Sequence, residues 1–129
     1  MDIDHFKRYN DYYGHVKGDD VLRNVARILE GVSRRPGDLA ARYGGEEFAV
    51  VLGNTDEENA LNIAKMICEQ IRQLGISHKD SPTSDVVTAS LGAACVFPGN
   101  SMSPQELVDL ADKQLYQAKE EGRNRVKPG

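Results

Sequence analysis

Cysteine is nearly absent: Cys68 and Cys95 lie far apart, with no CxxC pair and no Cys/His cluster. That argues against a zinc site and a disulfide framework, and makes a reducing cytoplasm the simplest setting. No apolar run approaches the roughly 20 residues of a membrane span, and no signal peptide opens the chain, so no membrane contact is expected. Basic excess is also missing. Lys and Arg number 16 against 20 Asp and Glu, a net charge of −4, whereas a nucleic-acid groove would show a basic stripe. There is no internal repeat, low-complexity tract or linker. With 129 residues, 40% hydrophobic and 28% charged, the chain reads as one globular domain spanning 1–129.

Glycine, proline and capping residues divide it into short elements. Asp4 to Tyr13 reads as a helix with Asp4 as N-cap and Gly14 as stop. Gly18-Asp19-Asp20 precedes a second helix, whose Val21, Leu22, Val25, Ile28, Leu29 and Val32 recur at helical spacing. Asp38 to Leu52 reads as a buried hairpin turning at Gly44-Gly45, a pair suited to positive φ. Thr55 and Glu58 form a capping box. The helix it opens carries Leu61, Ala64, Ile67, Cys68 and Ile71 on one face and stops at Gly75. Asp85 to Phe97 reads as a strand ended by Pro98-Gly99. Ser103-Pro104-Gln105-Glu106 is a second capping box, opening a helix to about Glu121 with Gly122 as breaker. Arg125-Val126 begins a short last strand. The class is α+β, helices around an antiparallel-containing sheet. Met1-Asp2-Ile3-Asp4 looks like a strand end with almost no strand before it, so the domain is expected to be cropped at its N-terminus.

The chemistry-bearing residues are acidic at one end and basic at the other. Glu46 and Glu47 follow a glycine turn, where the backbone is open to close approach by another molecule. Asp2 and Asp4 stand at the head of a helix. If the Asp2 strand pairs beside the hairpin, three or more carboxylates converge on one edge, which needs a positive charge between them. Hard oxygen ligands of this kind suit magnesium. Taken alone, Gly-Gly-Glu-Glu is more often a solvated turn and Asp-Ile-Asp a helix cap. Likewise Lys119 and Arg123 suit any helix C-terminus, and Asn10, His15 and Asp19 suit any interhelix loop.

The three blocks DIDHFKRYNDYYGHVKGDDVL, RYGGEEF and DKQLYQAKEEGRN, in that order, closely resemble the GGDEF family, the diguanylate cyclases. The resemblance covers essentially the whole chain, apart from the family's opening helix and the body of its first strand. It implies a sheet flanked by helices, similar to the ferredoxin-like palm of polymerases and nucleotidyl cyclases. It also implies condensation of two GTP into cyclic di-GMP and pyrophosphate, each 3′-hydroxyl attacking the other nucleotide's α-phosphate across a homodimer. An upstream sensory or dimerising segment would drive the pairing. On the resemblance, Asp2, the Ile3 carbonyl, Glu46 and Glu47 are metal ligands for Mg2+, two per site, with Mn2+ as the alternative. Glu46 and Glu47 are the catalytic pair, Glu46 the candidate base. Asn10, His15 and Asp19 lie where guanine is read, since a carboxylate can accept from guanine N1–H and its amine. Gly45 gives the nucleotide room. Lys119, Arg123 and the N–H groups around His5 and Phe6 take the terminal phosphate. Arg35-Pro36-Gly37-Asp38 matches the inhibitory product site, with Arg35 and Asp38 gripping cyclic di-GMP. The alternative is a non-catalytic cyclic di-GMP receptor binding through Arg35 and Asp38, with a surface ion pair as the plainest reading of those two.

Overall fold

A computed structural model describes all residues 1–129. The elements run β1 (Asp2–Ile3), α1 (Phe6–Tyr13), α2 (His15–Val32), β2 (Leu39–Gly44), β3 (Glu47–Val51), α3 (Glu57–Gln73), β4 (Ala89–Ala93), α4 (Pro104–Glu120) and β5 (Val126–Pro128). One sheet takes the order β2-β3-β1-β4-β5. β1 lies antiparallel to both β3 and β4, and β5 lies parallel to β4. The α+β reading holds, with a sheet of five strands rather than the three or four legible in the sequence.

Two faces of the sheet do different work. Ile3, Phe48, Ala89 and Leu91 join Val21, Leu22, Val25 and Leu29 of α2 and Ala64, Ile67 and Ile71 of α3 in one core. Such burial of aliphatic surface is the main stabilising term, about 25 cal/mol per Å² of apolar area. The opposite face carries α4, which lies directly on Gly92. A Cβ there would stand 2.1 Å from the Ala111 carbonyl oxygen, so only glycine permits this approach.

Several boundaries differ from the sequence reading, each for a local reason. α1 starts at Phe6, because its N-cap is His5 in the left-handed region and Asp4 is turned into the protein instead. α2 begins at His15 and runs through Gly18, since the left-handed Gly14 alone makes the break. α3 is capped by Asp56, whose side chain accepts from the Asn59 N–H; Thr55 is engaged elsewhere, donating to the Gly53 carbonyl. The expected strand 85–97 is regular only over Ala89–Ala93. Ser103 and Glu106 do form the reciprocal capping box, with Pro104 in the first turn. The hairpin is not buried: within β2 every residue except Ala40 is exposed.

β1 occupies the middle of the sheet yet has two residues, while β3 and β4 continue past it on the Met1 side. A cavity of about 990 Å³ opens there, lined by Val50, Ala93, Ile63 and Ile67 from one side and Leu107 and Leu115 from the other. Since α3 and α4 cover opposite faces, this space lies within the sheet plane.

Candidate active site

Asp2 is the centre of the site. It stands opposite Glu47 on β3 and Ser90 on β4. Directly opposed residues of an antiparallel ladder project to the same face, here the face that α4 covers. From the last turn of α4, the Lys119 ammonium pairs with Asp2 Oδ2. The other oxygen, Asp2 Oδ1, is buried and has no hydrogen-bond partner. One rung away, the Ile3 N–H donates to the Glu46 carbonyl at 3.2 Å, so Asp2, Ile3, Glu46 and Glu47 are contiguous. Glu46 is half-buried and Glu47 exposed.

No three His, Cys, Asp or Glu side chains gather into a metal-holding cluster. The expected convergence of three or more carboxylates is therefore corrected: Asp2 and Asp4 are buried, but the Asp4 oxygens are taken by Thr88, Ser90 and Asn124, and Glu46 and Glu47 sit at the mouth of the hairpin. The donor set still fits magnesium, which keeps waters and shares its shell with phosphate oxygens rather than demanding a complete protein cage. An orphaned carboxylate oxygen, with a cation already on its partner oxygen, marks a place built for positive charge.

The hairpin turn itself is open. Gly45 has φ +54, and a Cβ at Gly44 or Gly45 would meet nothing within 4 Å. Arg42 Nε donates to the Gly45 carbonyl at 2.8 Å and pins the turn. The positive φ favours glycine at 45, and the space beside it is free for a ligand.

The anion end lies at the start of α1. His5 makes no side-chain cap, and no acidic residue occupies the first turn. The first N–H groups are thus free to meet a ligand, and the helix dipole favours an anion there. Arg123 lies alongside. Burial first, then the Arg123 guanidinium, hold the His5 imidazole below its ordinary pKa, against the opposing pull of Asp4. Gly122, Arg123 and Asn124 are left-handed in succession, an unfavourable run for the two non-glycines. Asp4 holds it. Its buried carboxylate accepts from Thr88 Oγ1 at 2.8 Å, Ser90 Oγ at 2.6 Å and the Asn124 N–H at 3.0 Å. Asp4 is therefore an anchor for the Arg123 turn, not a helix cap. Thr88, Ser90 and Asn124 were missed by sequence reasoning. Two hydroxyls two apart in a strand, on one face with a buried acid, were the available signal.

Across the α1–α2 join, Asn10 meets Gly18, the residue before Asp19. Asn10 Oδ1 is buried without a partner, and it lies against Gly18, whose Cβ would be 1.7 Å from it. Asp19 lines a cavity of about 460 Å³ between α2 and β2, with Leu22, Arg42 and Phe48. His15 is exposed on α2, one turn before Asp19.

Arg35 and Asp38 are in contact with each other. Arg35 Nε and its backbone N–H donate to Asp38 Oδ2 at 3.3 and 3.1 Å. The guanidinium also donates to the Gly53 carbonyl at 2.8 Å and Thr55 Oγ1 at 2.7 Å, and the Gly53 N–H donates to Asp38 Oδ1. Burial alone would raise the Asp38 carboxyl. The Gly53 N–H and the Arg35 donors outweigh it and hold the group below its ordinary pKa. This is a tied loop rather than a loose surface pair.

Fold and site together define an α+β domain, a mixed five-stranded sheet flanked by helices. Residues 1–125 match the family described as diguanylate cyclase, GGDEF domain, and the chain belongs to that family. It is 47% identical over 126 residues to the probable diguanylate cyclase DgcT of Escherichia coli K12, covering 98% of this chain and 27% of that protein. Diguanylate cyclase A of Treponema denticola is 42% identical over 126 residues, with 98% and 33% covered. The chain thus spans about a quarter to a third of the length of these relatives. Among solved structures, the GGDEF domain of Caulobacter crescentus DgcB, crystallised with c-di-GMP, superposes with a TM-score of 0.85. The two are 36% identical, over 98% of this chain and 73% of that one. The active GGEEF domain of a Vibrio cholerae diguanylate cyclase gives a TM-score of 0.79 at 35% identity, over 98% and 78%. No helix is long and apolar enough to cross a membrane.

Proposed function

We propose that this chain is the catalytic domain of a diguanylate cyclase, joining two GTP molecules into cyclic di-GMP with release of pyrophosphate. The observation that carries the reading is the buried, half-paired Asp2 beside Lys119, facing Glu47 across the ladder and close to the uncapped start of α1. Asp2, the Ile3 carbonyl, Glu46 and Glu47 would hold magnesium. Bound there, magnesium would neutralise phosphate charge and ease ionisation of the attacking hydroxyl. Asn10 and Asp19 read guanine, with His15 on the same side. Gly45 lets the nucleotide lie against the hairpin. Lys119, Arg123 and the N–H groups at His5 and Phe6 take the terminal phosphates. Glu46 accepts the 3′-hydroxyl proton as the 3′-oxygen bonds to the α-phosphorus and pyrophosphate departs. The attacking hydroxyl comes from the second copy of a homodimer, brought into register by a segment outside this chain, on the cytoplasmic side. Arg35 and Asp38 form the inhibitory product site.

The full-length protein with GTP and magnesium should yield cyclic di-GMP by chromatography. Glu46→Ala should reduce turnover about a hundredfold or more while leaving the fold intact. A full-length protein that binds GTP yet makes no cyclic di-GMP would overturn the enzyme reading. A receptor role is supported by the pre-assembled Arg35–Asp38 loop alone. Calorimetry separates the two: magnesium-dependent GTP binding speaks for the enzyme, and cyclic di-GMP binding without GTP binding speaks for the receptor.

A further inference from the structure

We propose that His78, which none of the roles above uses, is a positioning residue for the GTP phosphates. It rests on the cyclase reading. His78 is 1% exposed and among the largest fully buried side chains. Its ring stands edge-on to Tyr9 of α1, centroids 5.3 Å apart. Its Nε2 lies 3.1 Å from the His5 carbonyl oxygen. A carbonyl only accepts, so Nε2 carries the proton. The other nitrogen, Nδ1, is buried with no partner, which suits a neutral ring protonated on Nε2. A phenyl or aliphatic side chain would fill this space without an orphaned polar atom. What the imidazole adds is one bond, and that bond reaches the backbone between the site's two halves.

His5 is the only residue joining Asp4 to α1, and it is left-handed, φ 52 and ψ 38. A side chain there disfavours that conformation, so something outside must hold it. On one side of His5 are Asp2 and Ile3; on the other are the free N–H groups of α1. Rotation of this peptide would turn those N–H groups away from the Arg123 side. The whole segment around His78 docks on the same short helix and its cap. Thr83 Oγ1 meets His5 Nε2 at 2.8 Å, and the Lys79 N–H donates to the Tyr13 hydroxyl at 3.0 Å. Arg8 donates to the Asp80 carbonyl at 3.1 Å. These neighbours are exposed or half-buried, whereas the His78 side chain is sealed in. The segment therefore works as a brace, with His78 as its fixed point.

The test compares His78→Gln, which keeps a side-chain N–H donor, with His78→Met, of similar length and no donor, and His78→Phe, which keeps a ring. Binding of 3′-deoxy-GTP with magnesium is measured by calorimetry, because this analogue lacks the attacking hydroxyl. Thermal melts and cyclic di-GMP affinity at the Arg35 loop serve as controls for folding. The expectation is about a tenfold loss of 3′-deoxy-GTP affinity in His78→Met and His78→Phe, mostly restored in His78→Gln, the worth of one buried hydrogen bond. In turnover, KM for GTP should rise more than kcat falls, and cyclic di-GMP affinity should stay within about twofold of wild type. Equal nucleotide affinity in His78→Gln and His78→Met overturns the proposal, even if His78→Phe does not fold. A loss that tracks melting temperature in every variant, with cyclic di-GMP affinity falling alongside, also overturns it by reducing His78 to a core residue. A wild-type chain that fails to bind 3′-deoxy-GTP overturns the cyclase reading along with it.

Discussion

Gly18 sits inside a helix, where replacement by alanine ordinarily stabilises by up to about 1 kcal/mol. Here the opposite is expected. A Cβ would stand 1.7 Å from Asn10 Oδ1 and 3.4 Å from the Phe6 ring, so Asn10 must leave its place. Gly18→Ala should lose about 1–3 kcal/mol in urea unfolding, and GTP affinity should fall with it. A stabilised Gly18→Ala would show that Asn10 is free to rotate and sink the packing account. Cys68 offers a pH test of the core. Burial, then the Asp4 and Glu69 carboxylates, push its thiol from an ordinary 9.0 to about 11. The unfolded chain then ionises first as pH rises, so Cys68's contribution to stability is intact below pH 9 and is lost as pH climbs towards 11. In native protein at pH 8, iodoacetamide should label half-buried Cys95 and spare Cys68. Comparable labelling of both would mean the α3–sheet interface opens readily.

At the scale of elements, the weight falls on Asp4, which ties β1 to β4 and to the turn after α4. Removing its carboxylate leaves two hydroxyls and the Asn124 N–H without their acceptor. Asp4→Ala should cost about 3–5 kcal/mol, read as a shifted urea midpoint. Asp4→Asn, with one acceptor oxygen left, should cost visibly less. Equal losses would show that the three bonds do not act together. The sequence announced the helices well, because Val21 to Val32 and Leu61 to Ile71 repeat at helical spacing and a Ser103–Glu106 box is local chemistry. It announced the hairpin through Gly44-Gly45, and the Arg35–Asp38 contact spans only three residues. Asp4 misled for a physical reason. An acid before a helix is a good cap by local rules, and only Thr88 and Ser90, 84 and 86 residues away, show that its oxygens are already taken. β1 and β5 were hard to see because two or three residues carry no period. They are strands by virtue of their neighbours, not of their own pattern.

At the scale of the whole molecule, the feature that matters is the apolar space between β3 and β4 on the Met1 side. Met1 and Phe48 exchange both backbone hydrogen bonds, at 2.7 and 3.0 Å. Past the rung of Met1, β3 reaches Val51 and β4 reaches Ala93. Continuing the register outward, the next positions fall between Ala49 and Gly92, then between Val50 and Ala93. Unpaired N–H and C=O groups therefore face each other across an apolar space, which invites pairing with any extended chain. An extension fused before Met1 would be antiparallel to both neighbours and tethered in register. Fusing about five residues of alternating apolar and small character before Met1 should raise the melting temperature by about 4 °C or more. It should also reduce binding of a hydrophobic dye such as ANS. The same extension with prolines at the positions that must donate should give neither effect, since proline cannot enter a central ladder. If the proline and non-proline extensions stabilise equally, the gain comes from bulk apolar cover and the space is not a strand slot. If neither stabilises, Asp2 is already held firmly by Ser90, Glu47 and Lys119, and the short β1 suffices to fix the site.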